Sequence, residues 1–274
     1  MEQEYLSILR NLVKNGERRE TRSGVVYSSF GHTLSCDLSQ HFPLLTTKKM
    51  YFKGIVEELA WFLRGSTDVT ELRSKKVHIW DGNTEDRSYD AGPVYGFQWR
   101  HFGAPYTTCK ANYAGKGKDQ IVRIMELIKD DPTSRRIFLS AWNPQQQHEM
   151  ALPPCHVSYQ FYVDSGDRLS VQMYQRSADA FLGLPFNIAS TALLCHLLAN
   201  ETGKKVGRLR IVIGDLHLYE EHAGVAVIQT ERIPHEFPQL QLDRDPDGLW
   251  TVKAEEIKLV GYKHHPSLKA KMAV

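Results

Sequence analysis

A chain of 274 residues, 42% hydrophobic and 24% charged, has enough apolar material for one large α/β domain and lacks the composition of a disordered or fibrous polymer. A formal charge of +2, with Lys and Arg dispersed, argues against a long nucleic-acid polymer as the main partner and leaves room for a small anion. Apolar stretches such as Ile188 to Ala199 contain polar breaks and are too short to cross a bilayer, and the N-terminus has no signal-peptide pattern, so a cytoplasmic or nuclear protein without membrane contact is expected.

Residues Glu4 to Lys14 carry Leu6, Leu9, Leu12 and Val13 at helical spacing, and Gly16 offers a helix stop. Val25 to Leu38 is rich in β-branched and aromatic residues and interrupted by Gly31, which predicts a strand with a bend or bulge. A second helix is expected from Lys53 to Leu63, ending at Gly65. Between Asp81 and Gly117 the Gly, Asn, Tyr and Pro residues show no sustained period and predict loops over a site. A helix resumes from Asp119 to Lys129. Val157 to Val163 and Leu169 to Gln175 read as strands joined by a hairpin turn at Asp164-Ser165-Gly166-Asp167. Ile188 to Ala199 is apolar nearly all round, as in a buried helix, and Leu209 to Ile213 is a short strand leading to Gly214 and Asp215. The basic tail from Lys263 lacks periodicity, and a solvated surface explains Lys263 to Lys271 as well as RNA binding does.

Cys36, Cys109, Cys155 and Cys195 show no CxxC pairing and no histidine cluster, so free thiols are expected, with neither structural zinc nor a disulfide framework. Cys195 falls inside the apolar helix, the usual setting of an inert thiol. Cys155 follows Pro153 and Pro154, which keep the approach extended and present the thiol at the mouth of a strand; it is either buried and inert or a nucleophile. Arg176, at the end of the second hairpin strand, is the cation expected to lower its pKa. On the second helix, Glu58 lies beside Ile55 and Phe62 on the apolar flank and Glu57 points away. Burial would raise the pKa of Glu58 and suit it to proton transfer, unless an unseen Lys or Arg satisfies it. Gln175 to Asp179 and Gly183 to Asn187 place charge, hydroxyl, carboxylate and amide in a strand-to-helix connection, where ligands commonly bind; Asn187 is alternatively the N-cap of the following helix.

The stretches around Pro154-Cys155-His156, Gln175 to Asp179 and Gly183 to Asn187 resemble the signature segments of thymidylate synthases. The resemblance runs from end to end: Arg22-Ser23-Gly24, Phe42 to Lys48, Glu58-Leu59 with Trp61-Phe62-Leu63, Ile79-Trp80-Asp81, Gly92 to Gly96, Gln98-Trp99-Arg100, Ser134-Arg135-Arg136, Asp215 with His217 and Tyr219, and Met272-Ala273-Val274. Asn83 stands near the place where many bacterial members carry a further tryptophan, and the long loop from Ala104 to Lys118 resembles eukaryotic and some viral members.

That resemblance implies one α/β domain over residues 1–274, built on a large bent mixed sheet flanked by helices, with the sheet face packed in a homodimer. It implies a methyltransferase that converts deoxyuridylate to thymidylate with 5,10-methylene-tetrahydrofolate as co-substrate, without a metal, through a Cys155 adduct at uracil C6. Glu58, Tyr95 and His156 would serve proton transfer. Arg22, Arg176 and Ser177 match the phosphate site, completed by Arg135 and Arg136 of the partner subunit. His217 and Tyr219 would hold the sugar hydroxyl and Asn187 the uracil edge. Ile79, Trp80, Asp179, Gly183, Leu184 and Phe186 would meet the folate, Lys48 its glutamyl tail, and Val274 would close over both. Competing readings are a pyrimidine hydroxymethylase, whose cytidylate version Asn187 weighs against, and a non-catalytic nucleotide- or RNA-binding protein.

Overall fold

Alternation of apolar and polar residues in four segments of the chain lays down most of one sheet, and the intervening 3.6-residue periodicities lay helices on its inner face. The computed structural model describes residues 1–246 and 248–272. In chain order the elements are α1 (Glu2–Asn15), β1 (Glu17–Thr21), β2 (Gly24–Asp37), α2 (Phe52–Leu63), α3 (Val69–Ser74), α4 (Asp81–Thr84), α5 (Tyr95–His101) and α6 (Gln120–Asp130). They continue with β3 (Phe138–Ser140), β4 (His156–Val163), β5 (Arg168–Asp179), α7 (Gly183–Thr202), β6 (Lys205–Tyr219), α8 (Ala223–Thr230), β7 (Gln239–Leu242) and β8 (Ile257–Val260). The α/β class with a mixed sheet flanked by helices is as expected.

The main sheet has six strands in the order β1-β2-β6-β5-β4-β3. Every neighbouring pair is antiparallel except β5 and β6, which run parallel from Arg168↔Lys205 to Asp179↔His217. A short antiparallel ribbon of β7 and β8 stands apart. The nearly all-apolar α7 packs against β5 and β6, and α2 packs on α7, which buries Trp61, Phe62, Leu193, Leu194 and Leu197 in one continuous core. The other face of the sheet is uncovered and displays Phe30, Phe138, Tyr162 and Tyr174.

At Gly31 the strand bends without slipping register: Phe30↔Asp215 and His32↔Ile213 keep the same offset, while the glycine takes φ +81, open only to a residue without Cβ. A slip does occur between His156 and Ser158 against Gln175 and Tyr174, a bulge at the start of β4. The region from Asp81 to Gly117, expected to be loops, contains the buried helix α5. Similarly, α7 begins at Gly183, five residues before the expected Ile188, and β6 extends to both sides of Leu209–Ile213.

Candidate active site

The carboxyl ends of β5 and β6, the one parallel pair, open onto a cleft of about 800 Å³ whose far side is formed by α2, the Ile79–Asn83 turn and the start of α5. The bulge at the start of β4 brings Cys155 to its wall. Cys155 donates its backbone N–H to the hydroxyl of Tyr95 at 2.8 Å, and its carbonyl accepts from the backbone of Arg176 at 2.9 Å, which continues the ladder past the bulge.

Arg176 is beside Cys155, but not in the way its charge alone suggested. Its guanidinium donates to the carbonyls of Pro154 and Pro153 at 2.8 and 2.9 Å, lies 4.0 Å from the Cys155 sulfur and rests 5.5 Å from the ring centre of Trp142. The diproline therefore fixes both thiol and cation. Burial pushes the Cys155 thiol up, and the charge of Arg176 and the hydroxyl of Tyr95 offset this only in part. The expected lowering is thus reversed, because a guanidinium shared among two carbonyls and held 4.0 Å away stabilises thiolate less than desolvation destabilises it. Cys195 behaves as expected of an inert thiol: fully buried in α7, pushed up to about 12 by burial, and donating to the Leu169 carbonyl at 3.3 Å.

Glu58 faces the cleft from α2. Among the described residues no Lys or Arg satisfies it; its partner is the indole of Trp80, donating at 2.8 Å, and burial raises the carboxyl to about 7 against that bond. Glu57 points away from the cleft but is no less buried, because the ammonium of Lys75 meets its carboxylate at 2.7 Å. His156 stacks on Tyr95 with ring centres 4.1 Å apart, its Nδ1 lies 2.6 Å from the hydroxyl of Tyr159, and burial lowers it to about 3, so it is a neutral imidazole at ordinary pH. Burial also raises Tyr95 well above the usual phenol range.

The connection from β5 to α7 supplies the opposite wall with Ser177, Asp179, Gly183, Phe186 and Asn187. Asp179 caps the turn, its Oδ1 accepting from the backbones of Phe181 and Leu182 at 2.9 and 3.3 Å. Asn187 is therefore not an N-cap: it stands one turn inside α7, where its Oδ1 accepts from Nε2 of the buried Gln175 at 2.9 Å. Arg22, His217 and Tyr219 line the end of the cleft at β1 and β6, and Ile79 and Trp80 its apolar side.

Some expected residues stand elsewhere. Leu184 is fully buried and does not line the cleft, because the early start of α7 turns it into the core. Lys48 lines the cleft, but its ammonium is turned inward to the Phe181 carbonyl and over the Phe181 ring, and burial lowers it to about 7 while Asp179 opposes this. It is not the solvated cation that a glutamyl tail would meet. Arg135 and Arg136 are exposed ahead of β3 and do not line this chain's cleft. Val274 lies outside the described residues. Sequence reasoning had assigned no role to Arg19, which meets Asp215 at 3.0 Å, while Asp215 in turn lies 3.3 Å from Nδ1 of His217. No periodicity marks Arg19; only the register of β1 on β2 brings it there. Among the described residues no cluster of His, Cys, Asp and Glu could hold a metal.

A family model described as thymidylate synthase matches residues 3–274. The chain belongs to the thymidylate synthase family. It is 45% identical to the human thymidylate synthase over all of its own length and 91% of that protein, and 45% identical to the thymidylate synthase of human herpesvirus 8 over 84% of that protein. The bifunctional dihydrofolate reductase-thymidylate synthase of Paramecium tetraurelia is 47% identical over 61% of its length, so the chain spans somewhat more than half of such fused relatives. Thymidylate synthases are methyltransferases, and the cleft described above is where this family member gathers its thiol, its raised carboxyl and its arginines.

Proposed function

We propose that the protein methylates deoxyuridylate to thymidylate, using 5,10-methylene-tetrahydrofolate as carbon donor and reductant and releasing dihydrofolate. The observation that carries this reading is the convergence on one cleft of Cys155, Arg176 and Asn187 with a carboxyl raised to about 7 on Glu58. The Cys155 sulfur adds to C6 of the uracil and turns C5 into an enolate-like nucleophile that attacks the folate methylene. C5 loses its proton, tetrahydrofolate is eliminated to leave an exocyclic methylene, and hydride from tetrahydrofolate reduces this to methyl as the C6–S bond breaks. The folate supplies a one-carbon unit and then a hydride.

Glu58, half ionised near neutrality, moves protons at the uracil O4 side and at the folate nitrogen, and a water ordered by Tyr95, itself kept a neutral phenol by burial, relays the C5 proton to solvent. His156, held neutral, orders this polar corner and carries no charge into it. Arg22, Arg176 and Ser177 bind the phosphate, with Arg135 and Arg136 of a second copy completing the site. His217 and Tyr219 hold the sugar hydroxyl, and Asn187 reads the uracil edge. The apolar side formed by Ile79, Trp80, Leu182 and Phe186 fits a flat pterin, and Asp179 meets its N–H groups. The C-terminus, including Val274, closes over both ligands and excludes water.

Two copies pack through the uncovered sheet face, where Phe30 and Tyr162 are 82% and 66% exposed. No helix among the described residues is long and apolar enough to cross a membrane, and we place the activity in the cytoplasm or nucleus. The direct test is turnover of deoxyuridylate with methylene-tetrahydrofolate, read as dihydrofolate release. Formation of hydroxymethyl-deoxyuridylate without dihydrofolate would instead identify a hydroxymethylase, and no product at all would overturn the assignment.

A further inference from the structure

The last described stretch of chain, from Pro266 to Met272, runs to the mouth of the cleft, where Leu268 and Met272 line it. Its beginning is firmly tied: Arg232 donates to the Pro266 carbonyl at 2.7 Å, and the His265 backbone donates to the Thr46 carbonyl at 2.7 Å. Beyond Pro266, among the described residues, one hydrogen bond holds it, from Nε2 of His222 to the Lys271 carbonyl at 2.8 Å.

His222 follows β6 and is itself buried, its ring lying against Tyr219 at 5.4 Å and Phe181 at 5.7 Å between centres. A carbonyl can only accept, so Nε2 carries the hydrogen of this bond. Among the described residues Nδ1 has no hydrogen-bond partner, and it faces Oδ1 of Asp179 at 4.0 Å, while Glu221 lies 3.7 Å from Nε2. One imidazole thus lies beside the Asp179 carboxylate and the Tyr219 ring and, on its other side, holds the only hydrogen-bonded point of the tail beyond Pro266 among the described residues. A histidine serving packing alone would spend its N–H on fixed secondary structure; this one spends it on a segment that is otherwise held, among the described residues, by apolar packing of Leu268 and Ala270 against the core.

We propose that His222 is a positioning residue for the reaction: it latches the tail over the cleft and ties that closure to the placement of Asp179 and Tyr219. This rests on the reading of Asp179 and the tail given above. The latch acts through the tail and touches neither reacting centre.

Three substitutions separate the latch from packing. His222→Phe keeps the ring and removes the donor, His222→Gln keeps a donor at nearly the reach of Nε2, and His222→Asn keeps polarity but falls short of Lys271. With deoxyuridylate and methylene-tetrahydrofolate, the Phe protein should lose at least ~10-fold in kcat while KM for deoxyuridylate stays within about twofold, and Gln should recover most of the loss. Deuterium exchange over residues 267–272, measured with deoxyuridylate and tetrahydrofolate bound, should slow in the wild type and the Gln protein and stay fast in the Phe protein. Should the Phe protein not fold, the Asn protein takes its place in both measurements. Wild-type kcat and tail exchange in the Phe or Asn protein would overturn the latch, as would a loss shared equally by Gln and accompanied by a matching fall in Tm. Absence of turnover in the wild type would instead remove the proposed reaction, and the exchange comparison would still decide whether His222 holds the tail.

Discussion

Cys155 and Cys195 are the same side chain in two settings, one at the edge of a bulge beside a guanidinium, the other sealed in a helix at about 12. Sequence distinguished them because two prolines before Cys155 fix its backbone, whereas the sign of its pKa shift was not legible: it is set by burial, which Arg176 and Tyr95 offset only in part. Cys155→Ser should fold and bind deoxyuridylate within a few-fold of wild type yet lose turnover by several orders of magnitude, since a hydroxyl cannot supply the anion that adds to C6. Titration calorimetry and steady-state rates check this, and near-normal turnover would end the assignment. Glu58 makes a pH prediction. Its folded carboxyl titrates near 7 against 4.5 for a free one, so the stability it contributes is complete below about pH 4.5 and is lost as pH rises through 7. His156, lowered to about 3, works in the opposite sense, losing its contribution as pH falls below 6.5. Comparing wild type with Glu58→Gln isolates the carboxyl: the Gln protein should gain on the order of 3 kcal/mol relative to wild type between acid and mildly alkaline pH while losing activity, and parallel stability curves would contradict a buried, raised Glu58. At Asn187 the amide is oriented by Gln175, a bond that sequence spacing could not reveal. Asn187→Asp should shift the ratio of kcat/KM toward deoxycytidylate, because a protonated carboxyl donates to cytosine N3 and accepts from its amino group; an unaltered ratio would take Asn187 out of base selection.

At the scale of elements, those with a strong period were legible and those defined by contacts were not. Helix α1, α2, α6 and the hairpin of β4 and β5 carry their own periodicity and turn chemistry. Strand β1 is exposed along its whole length and so shows no alternation; its pairing with β2 alone defines it. Helix α5 hides in a Gly-, Tyr- and Pro-rich stretch, yet it is held by a buried amide network in which Gln98 donates to the Pro93 carbonyl and to Gln146 at 2.8 and 2.9 Å, and Asn143 joins both. That network fixes Tyr95, and through it the backbone of Cys155. Helix α7 can start as early as Gly183 because Pro185 falls within its first turn, where the missing N–H costs nothing. Asp119 shows what one cap contributes: it accepts from the Val122 backbone at 3.0 Å to start α6 and from Arg100 at 2.8 Å to tie α6 to α5. Asp119→Ala should destabilise the protein by about 1–2 kcal/mol and Asp119→Asn by less, since Asn retains the cap and loses only the ionic part. Urea unfolding measures both, and equal losses would assign the effect to the ion pair.

For the whole molecule, the question is what covers a sheet face bearing four exposed aromatic side chains, Phe30, Phe138, Tyr162 and Tyr174. A helix-covered inner face and a bare aromatic outer face make a two-layer architecture that is incomplete in one copy. A second copy meeting the first across a two-fold axis would bury that face, and the edge strand β3 would travel with it. Arg135 and Arg136 sit in a turn just ahead of β3, exposed and absent from their own chain's cleft, so they are not placed to clamp a phosphate there. If each pair completes the partner's phosphate site, the two sites are interdependent and subunit mixing reveals it. Chains carrying Arg135→Ala with Arg136→Ala and chains carrying Cys155→Ser should each be nearly inactive as homodimers. Refolded together in equal amounts, half of the dimers are mixed, and each mixed dimer has one site with wild-type arginines and wild-type cysteine, so about a quarter of wild-type activity should return. Sites built from one chain alone would give no recovery, because every site would lack either the arginines or the thiol. Verified mixed dimers without activity would therefore overturn the sharing of Arg135 and Arg136 between subunits.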